Sequence, residues 1–88
     1  MNSLNAERIE RMQHKLTAAL SPSELTIQDD SHLHVGHAGA KSGKGHFTVH
    51  IKSDALQGLP KLQQHRRIYD ALGEMMEQDI HALVIVLD

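Results

Sequence analysis

An 88-residue chain with a formal net charge of −2 and no cysteine has room for one hydrophobic core, and no disulfide framework holds it together. Phe47 and Tyr69 are the only aromatic residues, so the core is expected to be built from Leu, Ile, Val, Met and Ala. The absent basic excess argues against nucleic-acid binding by the surface as a whole, the missing thiols exclude a cysteine nucleophile, and the longest apolar run, residues 82–87, is far too short for a membrane span.

The first periodic segment covers residues 5–20. Ile9, Met12, Leu16 and Leu20 recur at helical spacing, Asn5 or Ser3 is placed to cap the start, and Pro22 ends the segment. Over residues 24–29 the period falls to two: Leu25 and Ile27 face one way, Glu24, Thr26 and Gln28 the other, as in a half-buried strand. Phe47, Val49 and Ile51 repeat that alternation against Thr48, His50 and Lys52. Between the strands, residues 30–45 carry four glycines (Gly36, Gly39, Gly43, Gly45) and three histidines (His32, His34, His37), far more than the 2–5 residues of an ordinary hairpin loop. A loop of that length suggests function.

Residues 53–57 read as a short helical turn stopped by Gly58. Pro60 suits the first turn of a longer helix, along which Leu62, His65, Ile68, Tyr69, Leu72, Met75 and Met76 keep helical spacing to about Gln78. Residues 81–87 form a near-continuous apolar run, the pattern of a covered or central strand. The expected order is helix, strand, strand, short helix, helix, strand: a single domain, residues 1–88, of mixed α/β class, with a three-stranded sheet covered by helices. Residues 1–6 lack the basic and apolar segments of a secretory signal, and a cytoplasmic location is expected, with no membrane association.

Histidine is the unusual count: 8 of 88 residues. It is both the side chain that titrates near neutrality and the commonest metal ligand. The tract His32-x-His34-x-x-His37 could take Zn, Cu or Ni, for which imidazole is suited, although spacing on a loop is a weak signal. His81 opens the last strand and so sits on a rigid element. His65 shares the helix face of Ile68 and Tyr69 and reads as a buried, hydrogen-bonded residue. His46 and His50 alternate with Phe47, Val49 and Ile51, on the less buried side of their strand, and His14 reads as a surface helix residue. Ser31 and Ser42 have histidines nearby, but proximity in sequence makes no catalytic triad, and no phosphate-binding fingerprint is present. No enzyme is expected.

Several stretches together resemble the BolA family: Ser53-Asp54-Ala55-Leu56-Gln57-Gly58, Gln64-His65-Arg66-Arg67-Ile68-Tyr69-Asp70-Ala71-Leu72, Ile80-His81-Ala82-Leu83, and, flanking the loop, Ser31-His32-Leu33-His34 and Gly45-His46-Phe47. The similarity runs over nearly the whole chain, with two departures: Leu56 stands where the family usually has an aromatic residue, and the histidine loop is long. The resemblance implies a KH-like fold of the second type, αββααβ with a mixed sheet. It implies partnership with a monothiol glutaredoxin and a 2Fe–2S cluster shared with glutaredoxin and glutathione, in cluster trafficking or iron regulation. The isolated protein, a monomer or weak homodimer, is then expected to hold no cluster. On this chain the implied ligands fall on His81 and on a loop histidine, His34 or His37. Since no cysteine is present, any sulfur ligands must come from the partner side. The alternative is a DNA-binding regulator using Lys61, Arg66 and Arg67 on the helix-turn-helix segment. Three cations are few beside the 6–10 phosphate contacts of a typical binder, and the turn Gly58-Leu59-Pro60-Lys61 lacks the second glycine of a GxxG loop.

Overall fold

The computed structural model describes residues 3–31 and 43–87. The elements are α1 (Ser3–Leu20), β1 (Glu24–Asp29), β2 (Gly45–Lys52), α2 (Lys61–Leu72), α3 (Met75–Gln78) and β3 (Ile80–Leu87), a mixed α/β arrangement. His32, His34 and His37 lie outside the described residues.

Helix α1 forms because buried positions recur every three or four residues: Asn5, Arg8, Met12, Leu16 and Leu20 make one stripe. It stops at Ser21, whose φ of 43° is left-handed and whose N–H donates to the Thr17 carbonyl at 3.0 Å. The Ser53 hydroxyl donates to the Leu20 carbonyl, so an otherwise orphaned acceptor at the helix end is satisfied. Asn5 is not the N-cap: it lies inside the helix, and its side chain reaches across to β1.

The sheet order is β1-β2-β3. β1 and β2 are antiparallel, with Leu25 opposite Ile51 and Ile27 opposite Val49. β2 and β3 are parallel, with Phe47, Val49 and Ile51 beside Leu83, Ile85 and Leu87. A parallel pair needs a crossover, which α2 and α3 provide. Phe47, Val49 and Ile51 join Met12, Leu16, Leu20, Leu56, Ile68, Leu72, Met75 and Ile80 in one buried cluster, each such side chain contributing about 1.5–3 kcal/mol by leaving water.

Three expectations are corrected. A single helix does not run to Gln78: it breaks at Gly73, whose φ of 58° and ψ of −129° suit only glycine, and the chain restarts in α3. Residues 53–57 form successive turns rather than a helix. β3 is neither central nor covered on both faces. Among the described residues it is paired on one side only, and Val84 is 55 % exposed, because Leu83, Ile85 and Leu87 pack inward while Ala82 and Val84 lie on the bare face. Leu62 and Tyr69 are also exposed. They share a stripe about 100° around α2 from the buried Ile68.

Candidate functional site

The register between β2 and β3 slips at their start. Gly45 is paired with Ile80, but His46 is paired with Ala82, so His81 is the extra residue of a bulge. Bulges re-aim a side chain and are common beside functional sites. Here Ile80 is buried and His81 is exposed. The His81 ring lies against His46, with centroids 5.0 Å apart and planes tilted by 47°. His46 is only 5 % exposed, which corrects the expectation that it sits on the less buried side of its strand. The bulge turns the His81 imidazole over it. Sequence alternation alone missed His46, because a period of two says nothing about a slip in register. Gly45 admits no side chain, since a Cβ there would collide with the Phe47 ring.

A polar network fixes the chain around this imidazole pair. Arg8, 6 % exposed, donates from Nε to Asp79 Oδ1 at 3.1 Å and from Nη1 to Asn5 Oδ1 at 2.8 Å and the Gly43 carbonyl at 2.9 Å. Arg11 donates to both Asp79 oxygens, at 2.9 and 3.3 Å. Asn5 Nδ2 donates to Asp29 Oδ2 and to Ser31 Oγ, both at 3.1 Å, and Ser31 Oγ accepts the His46 N–H at 3.1 Å. The Asp79 carbonyl takes the Gly45 N–H at 2.9 Å. Burial pushes the Asp79 carboxyl pKa up, but hydrogen bonds from Arg11 and Arg8, reinforced by their charges, bring it below the ordinary Asp value.

Of the two imidazoles, His81 stands at the surface, while both ring nitrogens of His46 are buried. Among the described residues, no three His, Asp or Glu side chains gather as a complete metal site. One exposed histidine backed by a second fits a centre completed by donors from elsewhere, and iron–sulfur clusters accept histidine in place of cysteine. His34 and His37 fall outside the described residues, so the structure assigns neither of them to this surface.

Lys61, Arg66 and Arg67 are exposed on α2. Lys61 lines a shallow groove with Gln64, Ile85, Val86 and Leu87, at the end of β3 away from His81, about 20 Å along the strand at ~3.3 Å per residue. Lys61 therefore stands apart from His81. His65 is half-buried, corrected from fully buried. Its Nε2 has no hydrogen-bond partner among the described residues, and its ring meets Tyr69 edge-on with centroids 6.3 Å apart.

Comparison with known proteins agrees with this architecture. Residues 16–88 match the family model described as BolA-like protein. The chain is 42 % identical over 82 residues to protein BOLA1, chloroplastic, of Arabidopsis thaliana, covering 90 % of this chain and 51 % of that protein, so it spans about half of that relative's length. It is 40 % identical over 76 residues to the DNA-binding transcriptional regulator BolA of Escherichia coli, covering 86 % of this chain and 70 % of that one. The structure of the BolA domain of SufE1 from Arabidopsis thaliana superposes with a TM-score of 0.79 at 40 % identity, covering 92 % of this chain and 90 % of the other.

Proposed function

The chain belongs to the BolA family, and from that premise we propose that it is an adaptor that docks a monothiol glutaredoxin and shares a 2Fe–2S cluster with it through histidine nitrogen. The observation that carries this reading is His81, exposed at a strand bulge and backed by the buried His46. A ligand must be held in place by a stiff support, and β3 supplies one. The chain has no thiolate, so glutaredoxin and glutathione supply the sulfur, and His34 or His37 is the candidate for a second ligand from this chain. A cluster held at such a mixed site would have its reduction potential raised by the nitrogen ligands.

Cluster-loaded monothiol glutaredoxin is mixed with the chain and visible circular dichroism is recorded. The spectrum is expected to change, a complex to appear on a sizing column, and His81→Ala to remove the spectral change. An unchanged spectrum with the intact chain overturns the reading. Substituting His34 is expected to weaken the change more than substituting His37.

A second reading, DNA binding through α2, is favoured by the exposed Lys61, Arg66 and Arg67 and by the name of the Escherichia coli relative. It requires duplex affinity at low salt that Arg66→Ala and Arg67→Ala reduce and that added salt weakens. Fluorescence anisotropy with a labelled duplex decides it, and absence of binding at low salt removes it.

A further inference from the structure

Asn5 and Arg8 lie on the stripe that, further along α1, faces the core, yet they bury hydrogen-bonding groups. A buried guanidinium is costly unless each donor finds an acceptor, and among the described residues the acceptors that Arg8 uses belong to the surroundings of the imidazole pair. The carboxylate of Asp79 stands two residues before His81. The Gly43 carbonyl stands just before β2, which His46 helps to open. Asn5, oriented by Arg8 through its Oδ1, holds Asp29 and Ser31 at the end of β1, and Ser31 in turn accepts the N–H of His46 itself. The Asp79 carbonyl closes the circuit by taking the N–H of Gly45. Three separate stretches of chain thus meet on one face of one helix, and each is bonded within two residues of a histidine of the pair or at an end of the segment 32–42.

We infer that Asn5 and Arg8 are positioning residues for the His46/His81 pair: through Asp79, Gly43 and Ser31 they set where the two imidazoles stand. The inference rests on the reading of this surface as a ligand site, and it assigns to α1 a role that its helical periodicity does not suggest. Groups bonded behind a metal ligand commonly set affinity by 10–100-fold without touching the metal. Arg8→Lys keeps a cation for Asp79 but lacks the fork that reaches Asn5 and Gly43 together. Asn5→Ala leaves the Arg8–Asp79 pair in place and removes the tie to Ser31.

The test has two parts that separate this inference from the functional reading. In the free protein, long-range 1H–15N correlation spectra of the imidazoles report the two rings directly. Asn5→Ala and Arg8→Lys are expected to move the His46 and His81 signals and to leave those of His14 and His65 in place. In the glutaredoxin titration, both variants are expected to shift the midpoint of the dichroism change by about tenfold or more. Leu20→Ala, a core change at the far end of α1, serves as the control: it should lower the thermal midpoint while leaving the imidazole signals and the titration as in the parent chain. Unmoved His46 and His81 signals in both variants overturn the inference, whatever the glutaredoxin result. Where the parent chain does alter the glutaredoxin spectrum, a titration shift no larger than that of Leu20→Ala overturns it too. Moved signals in a chain that never alters the glutaredoxin spectrum keep the positioning role and discard the cluster reading.

Discussion

Asp79 carries two opposed effects. Burial disfavours its charge, while Arg11 and Arg8 bond to it and favour that charge, and the net is a folded-state pKa below the ordinary value. A lowered folded pKa means that the unfolded chain binds the proton more tightly. The stabilisation is therefore present in full above the unfolded value, about 3.9, and is lost as pH falls through the folded one. Asp79→Asn removes the titrating group and should cost about 1–3 kcal/mol near neutrality. Thermal unfolding of both proteins from about pH 7 down to pH 3 checks it. The gap between them should narrow below about pH 4, and a gap independent of pH refutes the assignment. At this scale the sequence was only partly legible. His81 stood out as the one polar opening of an apolar strand. Asn5 and Arg8 were hidden, because polar residues on an apolar stripe look like interruptions until their acceptors, from Asp29 to Asp79, are brought together in space.

Among the elements, α1 ends with a residue that fits its backbone poorly. Ser21 holds a φ of 43°, a left-handed conformation that costs an L-residue roughly 1–2 kcal/mol and that glycine adopts freely at this position past a helix end. Ser21→Gly is expected to stabilise the protein by about 0.5–1 kcal/mol, less than the full strain because glycine also loses more freedom on folding. Denaturant unfolding measures the change, and a loss of stability would show that the serine hydroxyl matters more than the backbone strain. The strands and α1 were readable because alternation and helical spacing report burial directly. The break at Gly73 was not, since Met75 and Met76 continue the apolar spacing across it and a glycine within a helical pattern does not announce its φ. The apolar run of residues 81–87 pointed to a central strand. It is an edge strand because composition records what a residue tolerates, while sheet order depends on which neighbour the crossover reaches. The bulge at His81 is of the same kind: it exists only in the pairing of β3 with β2.

At the scale of the molecule, the chain carries histidine nitrogens and no thiol, and Lys61 stands by the end of β3 opposite to His81. That separation allows one molecule to engage a sulfur-bearing partner at the His81 end without covering Lys61. It also makes the division of labour in the proposed complex testable by chemistry rather than by mutation. Iodoacetamide alkylates thiolates and so acts on cysteine. Treating this chain with the reagent, removing the excess and then adding cluster-loaded glutaredoxin should give the same change in visible dichroism as the untreated chain. Treating apo-glutaredoxin before cluster reconstitution should abolish it. Equal loss in both arms would mean that the reagent had reached a group on this chain that the complex needs, and histidine alkylation at the exposed His81, visible by mass spectrometry, would then identify it. Full activity in both arms would mean that no thiolate serves the shared centre, and a nitrogen-only metal site on this chain would become the better description of the surface around His46 and His81.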